Sequence, residues 1–142
     1  MGTDIHAHIE IETDNGWEYG WYIDPVNRSS EIESDDGSPF YWRNYEFFAF
    51  LAGVRGFGGT AKGIPKDISN TTKDLIDEWG KDAHSHSWDN CRQLLLRIIK
   101  EKKRNPEFME WLTHDLKKLE LVLYNKHLGQ NKNYRVVYWF DS

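Results

Sequence analysis

A chain of 142 residues with a single cysteine and a formal net charge of −5 has the length for one domain with a real core and no need of disulfides. One thiol excludes an intramolecular disulfide and a cysteine-based zinc site, and points to a reducing, cytoplasmic setting. The net acidity argues against a broad face for duplex nucleic acid, yet local charge can oppose net charge, so a small site for an anionic ligand stays open. No apolar run approaches the ~20 residues that span a bilayer, and the acidic start reads as no signal peptide.

Residues 3–12, "TDIHAHIEIE", alternate strictly: Ile5, Ala7, Ile9 and Ile11 to one side, Asp4, His6, His8 and Glu10 to the other. That is the period of a half-buried strand. "DNG" at 14–16 predicts a hairpin turn, with "WEYGWYID" (17–24) as the returning strand. Residues 25–39 form an acidic, polar stretch expected to be a flexible loop. "YWRNYEFFAFLAG" (41–53) predicts a short apolar helix stopped by Gly53. The glycine-rich stretch 53–67 carries cations, among them Arg55 and Lys62, and matches no phosphate-loop motif.

A helix through Trp79 is expected to start from Asp67 or Ser69, and "KDAHSHS" then serves as a connection. Ser87 is predicted to cap the following helix, with Trp88, Cys91, Leu95 and Ile98 on its buried stripe. Pro106 opens a further helical pattern to about His127. "YRVVYWFD" (134–141) has the apolar continuity of a central strand. The fold class expected is α+β in one domain, residues 1–142: a small antiparallel sheet of the N-terminal hairpin plus the C-terminal strand, packed by three to four helices.

Four of the six histidines fall in two D-x-H-x-H units, Asp4-His6-His8 and Asp82-His84-His86. On a strand, alternate side chains share a face about 7 Å apart, so two can converge on a metal when another segment supplies more ligands. A divalent ion of the zinc or manganese class held by Asp4, His6, His84 and His86 would lower the pKa of a bound water and polarise a phosphoryl oxygen. If the first and last strands pair antiparallel, Asp141 falls beside Asp4 and His6. Asp4, His84 and Asp141 are then the candidate catalytic groups. The cations and aromatics around the glycine loop suit a phosphorylated, base-containing ligand: Arg43, Asn44, Tyr45 and Arg55, joined by Ser85 and Trp88, are the candidate substrate contacts. Against each stands a plainer role in turns, caps or core, and Cys91, on an apolar stripe, reads as packing.

The blocks "MGTDIH", "RNYEFFAFLAGVRG", "GIPKDIS", "DAHSHSW" and "RVVYWFD" together resemble a family of small uncharacterised proteins of bacteriophages and bacterial genomes. Its members open with M-G-C/T-D-I-H and close with R-V-V-F/Y-W-F-D. The resemblance implies a phage or bacterial origin, with the host cytoplasm as the setting if phage-encoded, and implies no particular activity. The matching blocks contain Asp4, His6, Arg43, Asn44, Tyr45, Arg55, His84, Ser85, Trp88 and Asp141.

Three functions are compatible with these residues. The first is a metal-dependent hydrolase acting on a phosphoester or nucleotide-type molecule. The second is a protein that captures such a small anionic ligand without turnover. The third is a factor that binds and modifies a host enzyme, with the acidic 31–36 segment as a contact; a homo-oligomer is a further possible assembly.

Overall fold

The computed structural model describes residues 2–19, 43–108 and 133–142. Strand β1 (Asp4–Thr13) turns through Asp14 and Asn15 into β2 (Gly16–Tyr19). The helices are α1 (Tyr45–Ala52), α2 (Asn70–Trp79) and α3 (Cys91–Arg104). Strands β3 (Ala83–Asn90) and β4 (Tyr134–Asp141) complete a four-stranded antiparallel sheet of order β2-β1-β4-β3. The fold is α+β, a small sheet packed by helices. The acidic stretch 25–39, the end of the hairpin beyond Tyr19 and the helical pattern beyond Phe108 lie outside the described residues. Among the described residues, no helix is long and apolar enough to cross a membrane.

The strand pleat divides the core in two. Ile5, Ala7 and Ile9 of β1 and Val136, Tyr138 and Phe140 of β4 face α1 and α3, where Phe47, Phe48, Leu51, Cys91, Leu94 and Ile98 cover them. Val137 and Trp139 face the other way, toward Ile76 of α2, with Leu75, Trp79 and Trp88 at the margin. β4 is central and its residues 135–140 are buried, as its apolar run predicts. Its pairing with β1 sets Asp4 opposite Asp141, the expected juxtaposition.

Local signals explain the helix limits. Asn44 caps α1 by accepting from the Phe47 amide at 3.1 Å, and Gly53 ends it with φ 73°. Ser69 caps α2 through the Thr72 amide. The stretch "AHSHSW" departs from expectation. It is a sheet-edge strand and not a connection, and α3 begins at Cys91, capped by Asn90 accepting from Gln93 at 3.1 Å. Ser87 does not cap a helix. It is buried opposite Tyr138, its hydroxyl accepting from the Lys62 amide at 3.0 Å. Trp88 lies on the α2 side of the sheet and not on the α3 stripe. The Asx cap three residues later wins because β4 offers an unpaired edge for residues 83–90 to hydrogen-bond.

A buried ion pair fastens α2 to the sheet. Arg135 reaches Glu10 at 2.7–2.8 Å and Asp67 at 2.7 Å, and the Glu10 carboxylate also accepts from the Ser69 amide at 2.9 Å. The guanidinium lies 4.1 Å from the Trp17 ring. Arg135 holds the Asp67 carboxyl below its ordinary range, chiefly by hydrogen bonding. Arg135→Met is expected to lower the unfolding free energy by about 3–5 kcal/mol, because Glu10 is left buried without its counter-charge. Adding Glu10→Leu should recover a substantial part; urea melts of single and double variants measure this, and equal losses in both would show that the pair does not carry the energy.

Candidate functional site at the open end of the sheet

Where β1 begins and β4 ends, polar side chains from separate segments gather. On the α1/α3 face they form one continuous hydrogen-bonded chain. Arg55 donates through Nε to Thr3 Oγ1 at 3.0 Å; Thr3 Oγ1 and Ser142 Oγ are 3.0 Å apart; Ser142 Oγ lies 2.8 Å from His84 Nε2; and His84 Nδ1 lies 3.0 Å from Ser85 Oγ. The Thr3 amide donates to the Tyr45 hydroxyl at 3.2 Å, and the Arg55 guanidinium sits 4.8 Å above the Tyr45 ring. Thr3 is buried, whereas Arg55 and Ser142 face solvent and His84 is partly exposed. The chain is therefore anchored at its centre and open at its surface.

The opposite face of the same sheet end carries the carboxylates. His6 Nε2 contacts Asp141 Oδ2 at 2.5 Å, with the imidazole 4.2 Å from the Trp79 ring and 6.0 Å from Trp139. Arg43 pairs with Asp4 at 2.8–2.9 Å, its guanidinium lying over Gly2, where a Cβ would stand 2.1 Å from Nη1. Asp4 further raises the Arg43 pKa through this hydrogen bond. The pleat thus keeps the Asp4 and Asp141 carboxylates off the α1/α3 face. Asp4 and Asp141 lie to one side, each matched by its own partner; Arg55, His84 and the hydroxyls of Thr3, Ser85 and Ser142 lie to the other.

This separation bears on the predicted ligand set. His6 is in register with Trp139 and His84 with Phe140, so the two imidazoles project from opposite faces. Asp4, His6, His84 and His86 do not converge, and among the described residues no group of three or more His, Cys, Asp or Glu side chains is placed to hold a metal ion. His86 follows a bulge at Ser85. Its carbonyl accepts from the Gly63 amide at 2.8 Å, and its ring Nε2 is buried with no hydrogen-bond partner among the described residues. Asp141 does lie beside Asp4 and His6, but His84, the third candidate catalytic group, belongs to the other face.

Two of the predicted substrate contacts have structural work instead. Asn44 is a buried helix cap, and Trp88 stands at the Val137 rung, mid-sheet, under the Lys62 ammonium at 4.7 Å. Arg55, Tyr45 and Ser85 are brought together with His84, and Arg43 lies nearby against Asp4. Thr3 and Ser142 were not singled out by sequence. Their signal is only positional: each flanks a strand end, one residue outside the motif that draws attention. Cys91 is buried among apolar groups, which push its thiol pKa up and leave it unreactive.

No family model, curated protein or solved structure matches this chain. The site's own geometry therefore carries the functional argument.

Burial pushes the His86 imidazole below its ordinary pKa, and the neighbouring His84 lowers it further. A histidine depressed in the fold binds fewer protons there than in the unfolded chain. Its contribution to stability is fully present above about pH 6.5 and is lost as pH falls through the lower folded value. His86→Gln should accordingly flatten the acid side of a plot of melting temperature against pH, below about pH 6.5. Parallel curves for the two proteins would mean that another group titrates.

Proposed function

We propose that this protein captures a small phosphorylated, nucleotide-type anion at the open end of its sheet, by direct contact with its side chains and without a metal ion. One observation carries the reading. Among the described residues, two that are not glycine hold positive φ angles, Arg55 (62°) and Ser85 (53°), and both belong to the same hydrogen-bonded chain. A left-handed residue with a Cβ costs on the order of 1 kcal/mol, and such strain persists where surrounding structure enforces it. Here it aims a guanidinium and a hydroxyl at one another's neighbourhood, on either side of Thr3 and Ser142.

The chemistry fits an oxyanion. Guanidinium, imidazole and hydroxyl groups all donate to phosphate oxygens, and a guanidinium–phosphate contact is among the stronger hydrogen-bonded pairs. The Asp4 and Asp141 side-chain carboxylates are held on the far face and already paired. The one cysteine, buried and free, supports a reducing cytoplasm as the setting.

A second reading, turnover of the ligand, is favoured by the His6–Asp141 contact, since an imidazole oriented by a carboxylate is the working unit of many acid–base sites. It sits on the other face, so the ligand would have to reach around the end of the strands.

Inorganic phosphate and nucleoside phosphates, supplied at about a hundred times their Kd, should raise the melting temperature by roughly 5–10 °C. Arg55→Ala should abolish the shift, and Arg104→Ala, at the last turn of α3, should leave it intact. A chelator should change nothing. Loss of binding with chelator would return the site to the metal-dependent hydrolase reading, and recovery of a cleaved ligand would favour turnover over capture.

A further inference from the structure

Phe57 is fully exposed, the most solvent-accessible large apolar side chain among the described residues, and neither fold nor anion site accounts for it. Its loop is not loosely held. Both the Gly53 and Gly59 amides donate to the Ala49 carbonyl, at 2.9 and 2.8 Å, closing residues 53–59 onto the last turn of α1. Gly59 lies so close to that turn that a Cβ would stand 2.2 Å from the Phe50 carbonyl oxygen, and one on Gly53 would stand 2.7 Å from the Gly59 oxygen. No larger residue fits either position. The loop is thus fastened at both ends, with Arg55 folded back over Tyr45 and Thr3 and Phe57, two residues on, left in solvent.

Two residues of chain span at most about 7 Å. The fastened loop therefore carries a site cation and an exposed aromatic side chain on backbone positions no more than about 7 Å apart. We infer that Phe57 is a stacking platform for the planar ring of a ligand whose anionic group is held by Arg55, Ser142 and His84, so that the site takes a nucleoside monophosphate in preference to a simple sugar phosphate. The inference rests on the anion-binding reading above and adds the ring to it. A protein partner is the weaker occupant. A stable protein interface buries about 800 Å² on each side around several apolar anchors, and in this stretch only the half-exposed Ile64 stands near Phe57 in sequence. A lone aromatic suits a single ring: base–aromatic stacking is tolerant of sequence and each ring stacks by itself.

The test compares three probes by calorimetry on the full chain: inorganic phosphate, ribose 5-phosphate and AMP. AMP is expected to bind about tenfold more tightly than ribose 5-phosphate, a gain typical of one stacked base. In Phe57→Ala that ratio should fall to near one, whereas Phe57→Trp should keep or raise it. Both changes are at an exposed position and leave the core untouched. If all three probes bind and the ratio is unchanged in Phe57→Ala, the platform is refuted and the anion site stands. If no probe binds the natural chain, both fall. Capture of a protein that is lost in Phe57→Ala, with the AMP ratio unchanged, would also overturn the inference.

Discussion

The antiparallel register of β1 against β4 is the constraint on which the remainder depends. Asp4 opposite Asp141 means that every even residue of β1 shares a face with every odd residue of β4. One slip would turn Ile5, Ala7 and Ile9 toward α2 and bring Glu10 and His8 under α1 and α3. The register is held from both ends of the strand. At one end Glu10 finds Arg135 directly across the ladder; at the other, His6 finds Asp141 and Thr3 finds Ser142. Each pair exists in this register alone, so polar contacts that add little net energy select one pairing out of several that would bury similar apolar area.

A second buried carboxylate does for β3 what Glu10 does for α2. Asp89 accepts from Lys62 and Arg97 at 3.0 Å and from the Tyr138 hydroxyl at 2.7 Å. One side chain thereby joins the glycine loop, α3 and the central strand to the sheet edge; burial, and then the Asp89 charge, push the Tyr138 phenol pKa upward. Because Lys62 is tied to Asp89 and its amide to Ser87, the loop runs along β3. The course of the loop fixes Arg55 over the sheet end. The candidate site is positioned by interactions remote from it, as a site built on rigid elements requires.

Much of this was legible in the chain. Strict alternation specified β1, the apolar run specified β4, Ser69 and Gly53 punctuated their helices, and the pairing that brings Asp141 to Asp4 followed from those strands. The stretch 83–90 was not legible, for a physical reason. Its buried polar positions, Ser87 and Asp89, depend on Tyr138, Lys62 and Arg97 arriving from elsewhere, and a bulge sets them on the face opposite Ala83. A strand that satisfies polar groups through tertiary partners leaves no hydrophobic period to read. The same holds for Thr3 and Ser142, whose hydroxyls acquire meaning only when two chain segments far apart in sequence meet.

The paired D-x-H-x-H units show how identical local patterns diverge once faces are assigned. In the first, all three side chains lie on the α2 face of a regular strand, and each is tied down: Asp4 by Arg43, His6 by Asp141, His8 by Thr72 at 3.1 Å. In the second, Asp82 closes a short 3-10 turn before the strand begins, and the bulge at Ser85 breaks the alternation between His84 and Ser87. A bulge re-aims side chains at a sheet edge, and here it leaves His84 beside Ser142 while His86 loses any hydrogen-bond partner for Nε2 among the described residues. Repetition in sequence therefore does not become symmetry in space. One unit builds the wall of the sheet, while in the other His84 keeps its rung opposite Phe140 at the arginine-bearing end and the left-handed Ser85 redirects the chain after it.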